Sequence, residues 1–494
     1  MATPADTMNP DNEAAPLLGA KKAPASRSQK LTVMIATTAL ILAIDFGFYL
    51  TTAPQTKVFE NIICRNYLNA QGQPAGTILT DGVCKSEPVQ VELALVNGWK
   101  ETSDIVPGIL LSVPYGILAD RWGRKPVLLL GILGTLLGES WVRVVCFYPT
   151  ILPLRLVWLS GLWKIIGGGD NALSSIALVM VADVFPEEEI ATALFRLGSA
   201  VFLSEILATP VSAYLMASDP WIPFVLGLGI AILGSGAALL MPETLTKAKS
   251  KVFLTTEASE EEAQLYSDEN DSLGQHIKVN MRKLRDSTKF IFGNTAVAIC
   301  LFSLFIAAIS KQSTSLLLQY TSKRFDWSIA NSSLLISLRG IFALANFLLL
   351  MPAVSSILTK YFHLPSSLKD LRIAQGSSFI SALGLFIIGT ASSRAILITG
   401  IVFVALGAPF AVSCRSFVTS LIRPDQMGTL YSSASAVTSI GMMIAGPLLA
   451  YAFRLGLHLG PAWLGLPFTL AGAIYLLGSI SLVLLRVPDR VHRE

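Results

Sequence analysis

The sequence predicts an all-α membrane protein of twelve transmembrane helices, arranged as two six-helix halves. Three observations carry this. The chain has 494 residues, of which 52% are apolar and only 14% charged, whereas soluble chains carry about 25% charged residues. Twelve apolar stretches punctuate it, near 33–54, 102–119, 127–147, 152–182, 191–216, 221–241, 294–318, 332–357, 373–391, 396–418, 427–453 and 463–485. One long charged break, between Pro242 and Gly293, divides these six and six. A span takes roughly 20 apolar residues, so twelve need about 240, which consumes nearly all the apolar content and leaves none for a separate soluble core.

The first thirty residues are polar and rich in Pro and Ala, and they read as a disordered tail (1–30) with Lys21, Lys22, Arg27 and Lys30 ahead of the first apolar run. That run, from about Val33 to Pro54, is too long for a signal-peptide core and ends in no small-residue cleavage pattern, so it is a retained first span. The first half then covers 31–243. A linker at 244–292 carries an acidic run (Glu260, Glu261, Glu262) followed by a basic one (Lys278, Arg282, Lys283, Arg285, Lys289). The second half covers 293–487, with a short tail at 488–494. Gly and Pro inside several spans are compatible with membrane helices, where neighbours satisfy the freed backbone groups.

The net charge of +4 is too small to suggest a nucleic-acid partner. Basic residues in short loops set orientation instead. With both termini in the cytoplasm, that side receives the N-terminal cluster, Arg121, Arg124, Lys125, the linker, Lys360, Lys369, Arg423, Arg486, Arg490 and Arg493. Cys64 and Cys84 then fall in the outer loop between the first two spans, where an oxidising exterior makes a disulfide the expected state and two free thiols the alternative. Asn331-Ser332-Ser333 is an outer sequon set close to the membrane, a weak glycosylation candidate.

The most specific pattern follows the second span: Gly116-Ile117-Leu118-Ala119-Asp120-Arg121-Trp122-Gly123-Arg124-Lys125-Pro126. It resembles the signature loop of the major facilitator superfamily at nearly every defined position, and twelve spans split by a central linker resemble that family's layout. The resemblance implies the major facilitator fold and a secondary transporter of a small organic molecule working by alternating access. On this reading Gly116 lets a neighbouring helix approach, and Asp120 faces a positive helix N-terminus. Arg121, Arg124 and Lys125 reach acids at the end of the fourth span (Asp183, Glu187, Glu188, Glu189), latching the two halves at an inner gate. A solvated basic loop would explain the charges but not the glycines and Asp120 at these spacings.

Lys164-Ile165-Ile166-Gly167-Gly168-Gly169-Asp170 partly resembles a second motif of the family, with Lys164 at the position of its arginine. In the fifth span Pro210 matches an antiporter motif, while Glu205, Thr209 and Ala213 stand where its glycines are expected. Phe59-Glu60-Asn61-Ile62-Ile63-Cys64-Arg65, Cys84-Lys85, Pro107-Gly108 with Pro114-Tyr115-Gly116, Gln319-Tyr320 with Trp327, and Ser337-Leu338-Arg339 are similar to a fungal branch, distantly similar to the proton-coupled folate and haem carriers.

Charges inside spans are costly and usually face a cavity or a partner. Asp45, Lys164, Asp170, Glu205, Lys311 and Arg339 are the candidates for substrate binding or proton coupling, and Glu139 is expected to pair with Arg143 one turn away. None of the four histidines lies in a predicted span, so coupling is expected to run on carboxylates. Neither a GxxxxGK[ST] loop nor an HExxH or GxSxG constellation is present, which argues against an ATP-driven pump and against an enzyme. No cofactor and no metal is expected. The partners expected are a small-molecule substrate, protons and the lipid bilayer, with the chain a monomer. Efflux is the expected direction; import of a nutrient or organic anion, or a non-transporting receptor on the same fold, are the alternatives. The plasma membrane is the expected site, with Glu13-Ala14-Ala15-Pro16-Leu17-Leu18, similar to an acidic dileucine signal, keeping the vacuolar membrane as the alternative.

Overall fold

The computed structural model describes residues 27–73, 81–185, 187–244, 295–422 and 427–485. The expected dileucine segment and most of the linker and both tails lie outside these residues.

Twelve helical spans account for the described chain, and no strand occurs among the described residues. In chain order they are α1 (Arg27–Ala70), α2 (Glu87–Trp122), α3 (Arg124–Phe147), α4 (Gly169–Val184), α5 (Glu187–Met216), α6 (Trp221–Leu240) and α7 (Thr295–Phe325). They continue with α8 (Ile329–Lys360, passing through a π turn at Asn346–Leu350), α9 (Ser366–Gly389), α10 (Arg394–Ser420), α11 (Met427–Leu459) and α12 (Leu466–Val483). Ten are long and apolar enough to cross a membrane by themselves, and α2 makes eleven when its two segments, bent by 54° between Ser112 and Pro114, count as one span. The twelfth, α4, is short because its crossing is interrupted.

That interruption corrects the single stretch expected at 152–182. The crossing starts as a 3-10 turn (Leu154–Leu159), takes one helical turn (Ser160–Trp163), breaks, and resumes as α4. Gly167, Gly168 and Gly169 all have positive φ, +92°, +79° and +75°. Three consecutive residues in that region cannot continue a right-handed helix, and only glycine adopts it without steric cost.

Two further boundaries differ from the sequence reading. α1 begins inside the expected tail at Arg27 and runs on to Ala70, and α2 starts at Glu87 rather than near 102. The expected outer loop is therefore largely helix. At 1.5 Å per residue the 44 residues of α1 extend roughly 66 Å, about twice a hydrocarbon core of ~30 Å. Cys64 of α1 and Cys84, in a helical turn at Asp81–Cys84, form a disulfide that ties the projecting ends together.

Each half packs mainly on itself: α1 lies against α5 and α6, and α9 against α10 and α12. The halves meet along α2 with α11 and α5 with α8. On the first of these seams Gly98 and Gly446 face each other, and a Cβ on either would come within 3.0 Å of the other's carbonyl oxygen. Small residues of this kind allow backbones to touch where lipid supplies no hydrophobic drive for helix pairing. The second half has one continuous apolar core, including Tyr320, Phe417, Phe453 and Phe468. The apolar core of the first half is split. One cluster (Phe59, Leu93, Val142, Phe224) lies at the disulfide end and another (Leu40, Leu128, Ile176, Met180) towards the end bearing the termini, with a layer of charge between them.

Candidate functional site

Glu205, on α5, is 1% exposed, and its Oε1 receives a hydrogen bond from Nη2 of Arg339 on α8 at 2.6 Å. The contact crosses the boundary between the halves. α8 can lie this close because residue 340 is glycine; a Cβ there would meet the Glu205 side chain at 3.3 Å. Ser337, half a turn earlier, donates to the Ile206 carbonyl at 3.2 Å and fixes the register of α8 on α5. Tyr49 of α1 adjoins the pair, and Glu205, Arg339 and Asp45 all act on it electrostatically. Three helices from two halves thus bring Asp45, Tyr49, Glu205 and Arg339 together. Lys311 lies on α7, and its side chain is outside the described residues.

Lys164 and Asp170 belong elsewhere, in the charged layer of the first half. Lys164 Nζ lies 2.8 Å from Asp170 and 3.4 Å from Asp104. Asp104 also accepts from Lys100 at 3.0 Å and from the Ser160 hydroxyl at 2.6 Å. Thr135 donates to Asp170 at 3.0 Å. Glu139 pairs with Arg143 at 2.9 Å and lies 3.9 Å from Lys100, while Arg143 stacks on Phe224, 4.5 Å from its ring centre, and donates to its carbonyl. Three cations face three carboxylates, so the layer is neutral as a unit. A charge left alone at this depth would cost several kcal/mol, on the order of 2.5–3.5 on insertion scales. Lys100 was not among the expected site residues because 85–101 read as a loop, and Asp104, inside the expected span 102–119, was not singled out. Their i, i+4 spacing was the available signal.

The signature loop forms a compact polar knot at the end carrying the termini. Arg124 Nε lies 2.7 Å from Asp183, and its Nη2 lies 3.3 Å from Asp120. These contacts, among them the expected one from Arg124 to the end of the fourth span, join α2 and α3 to α4 inside one half in this state. The N-terminus of α3 is met not by Asp120 but by Glu243, whose carboxylate accepts from the backbone N–H of Arg124 at 3.0 Å and of Lys125 at 3.1 Å. A carboxylate there satisfies orphan donors and complements the helix dipole. Gly123 turns the chain with φ +111°, and a Cβ on it would strike Glu243 at 2.6 Å. Lys125 Nζ donates to the Leu239 carbonyl at 2.7 Å, and Arg121 is exposed. Gly116 has no described atom within 4 Å of its Cβ direction in this state.

At the opposite end the halves are clasped. Lys323 donates to the Lys85 carbonyl at 2.6 Å, Lys85 to that of Trp327 at 3.4 Å, and His458 Nδ1 lies 2.5 Å from Glu87. Further in, Thr102 donates to the Met443 carbonyl and Asn171 to Ser439, both at 3.0 Å. Asn331 lies in the first turn of α8, where its backbone N–H caps onto Ser328.

Comparison with known proteins agrees with this architecture. The family model of the Major Facilitator Superfamily matches residues 94–446. The MFS efflux pump atnC of Emericella nidulans is 35% identical, covering 97% of this chain and 93% of that protein. The MFS-type transporter avaK of Aspergillus versicolor is 33% identical over 93% of both chains. The efflux pump ustT of Aspergillus flavus is 35% identical, over 87% of this chain and 83% of that one. Among solved structures, the nucleoside transporter NupG superposes with a TM-score of 0.62 at 13% identity, over 92% of this chain and 99% of that one. A D-xylose–proton symporter superposes with a TM-score of 0.60 at 15% identity, over 92% and 98%. With two halves of six helices, a signature loop folded around Arg124 and relatives matched over nearly their whole length, the chain belongs to the Major Facilitator Superfamily and is a multi-span membrane transporter of small molecules, not an enzyme.

Proposed function

We propose that this transporter exports a small organic molecule in exchange for protons, by alternating access, with both termini in the cytoplasm. The observation that carries the coupling is the contact between Glu205 and Arg339 across the two halves, with Tyr49 and Asp45 beside it. An ionised carboxylate holds the guanidinium and keeps α5 on α8. A neutral one releases most of that attraction, so proton binding at Asp45 or Glu205 changes the relative free energy of the two states, which is what coupling requires. Export is supported by the relatives described above as efflux pumps. The positive-inside distribution supports the orientation, which puts the disulfide outside, where oxidising conditions favour it. The clasped disulfide end then corresponds to a state closed to the exterior.

The test is flux in proteoliposomes. With the purified chain reconstituted and a pH step imposed, the amphipathic cation rhodamine 6G and the organic anion fluorescein should move against the proton flow, each checked separately. Movement of either that is independent of the pH step would remove proton coupling. Binding without movement of either would favour a receptor.

A further inference from the structure

Glu101 plays no part in the cluster around Arg339. It sits on α2, one turn beyond Gly98, and lines a small pocket enclosed between α2, α7 and α11 with Asn97, Gln312, Ser315 and Gln319. The pocket lies on the seam between halves, sealed where Gly98 meets Gly446 and where Thr102 bonds the Met443 carbonyl. The Ser315 hydroxyl is the polar contact Glu101 makes across that seam, Oγ to Oε2 at 3.2 Å. The same Oγ lies 2.9 Å from the Gln312 carbonyl, a group that can only accept.

A serine hydroxyl carries one hydrogen. With that hydrogen committed to the shorter bond, two lone pairs face each other at 3.2 Å unless the Glu101 carboxyl brings a hydrogen of its own. Of the neighbouring charges among the described residues, Lys100 attracts the Glu101 carboxylate and Asp104 repels it. On α2, Lys100 is already bonded to Asp104 at 3.0 Å. The groups facing Glu101 from α7 are the neutral Gln312, Ser315 and Gln319, with the Lys311 side chain outside the described residues, and from α11 they are Gly446, Leu449 and Ala450. Gln319, 1% exposed, has neither amide atom bonded among the described residues, so it offers the carboxyl a further partner of either polarity.

We infer that Glu101 is a second proton-binding site, whose protonated carboxyl donates to Ser315 and thereby seals the disulfide end of the transporter. When the halves part at that end, the carboxyl meets water and loses its proton; an ionised Glu101 then opposes re-closure, because closing strips the charge of water at a seam where the Ser315 hydrogen is already taken. Enclosed in the closed state, this proton does not pass to the other side. It sets the pH at which the gate shuts, and it is separate from the exchanged proton of the coupling cluster. The inference rests on alternating access but not on export or on coupling.

The experiment therefore reads opening without substrate. Nitroxides attached at Asn69→Cys and Ser392→Cys, both exposed and at the disulfide end of opposite halves, report the gap by pulsed electron paramagnetic resonance in lipid nanodiscs between pH 5 and 8. The parent protein should open as pH rises, the open-to-closed ratio changing by up to about tenfold per pH unit, the limit for one proton. Glu101→Gln should be more closed than the parent at the upper end of the range and lose the steepness this proton contributes, and Glu101→Asp should keep a response with a displaced midpoint. Ser315→Ala should raise the open population at low pH, which tests the same bond if the Gln variant fails to fold. His458, bonded to Glu87 at the rim, is the rival sensor. The part of the response that Glu101→Gln removes is the part assigned here, beside whatever Asp45 and Glu205 contribute; a response identical with and without the Glu101 carboxyl, or one abolished by His458→Asn alone, would overturn the assignment, as would a parent protein indifferent to pH.

Discussion

Arg339 of α8 reaches Glu205 of α5 across the boundary between the two halves, with 2.6 Å between Nη2 and Oε1 and the carboxylate side chain only 2% exposed. A pair so placed is held by its short geometry and by the burial of the carboxylate. Removing one partner leaves the other uncompensated, at a cost of roughly 3–5 kcal/mol. Arg339→Ala and Glu205→Gln should each lower the melting temperature in detergent and abolish flux, and the Glu205→Gln, Arg339→Gln double variant should lose less stability than the two singles added together. Strict additivity would mean that the two side chains act independently.

Asp45 shares the neighbourhood of Tyr49 and Arg339 but belongs to α1. As a coupling carboxylate it should be dispensable for binding and necessary for using the gradient. Asp45→Asn is expected to bind and exchange dye normally while losing the response of net flux to a pH step. A variant that still concentrates dye under that step would return Asp45 to a purely packing role.

Arg124 ties Asp120 and Asp183 together while Glu243 holds the N-terminus of α3. Arg124→Ala should leave membrane insertion intact and stop turnover. Glu243→Gln removes the charge but keeps an acceptor, so it should cost no more than about 1 kcal/mol and leave flux largely unchanged. Surface abundance by immunoblot, measured beside flux, separates failure to insert from failure to cycle.

Lys164 closes the neutral layer between Asp104 and Asp170. Lys164→Met leaves two buried or half-buried carboxylates short of a cation and should lower stability sharply, by about 3–5 kcal/mol. Adding Asp104→Asn should recover part of that loss. If Lys164→Met melts like the parent but loses all transport, the layer is functional rather than architectural.

Why these groups were hard to find from the chain alone has a physical answer. The spans were legible because burying a helix in lipid demands an unbroken apolar run, and the signature loop was legible because its turn fixes residue types at Gly123 and Arg124. The start of α2 was not. Its first turns carry Gln90, Glu92, Asn97, Lys100 and Glu101, and polarity of that density reads as loop until it is known that other helices bury it. That hid Lys100 and Glu101, whereas Asp104 lay within the expected span and was passed over. Glu205 and Arg339 were each visible as costly charges, yet only the packing of α5 on α8 shows that they pay for one another. Glu243 looked like the first residue of a linker, and nothing local announces that it folds back onto the N-terminus of α3.

The disulfide-tied ends of α1 and α2 bear on how the molecule can be seen. A transporter whose mass lies wholly within a detergent belt gives electron microscopy few features on which to align particles. Here a disulfide staples α1 to the turn before α2 at one end of the bundle, where Arg65, Asn66 and Asn69 are exposed. An antibody fragment raised against the segments around Cys64 and Cys84 would have a rigid epitope that moves with the first half alone. It would serve at once as an alignment marker and as a pointer to how far that half swings.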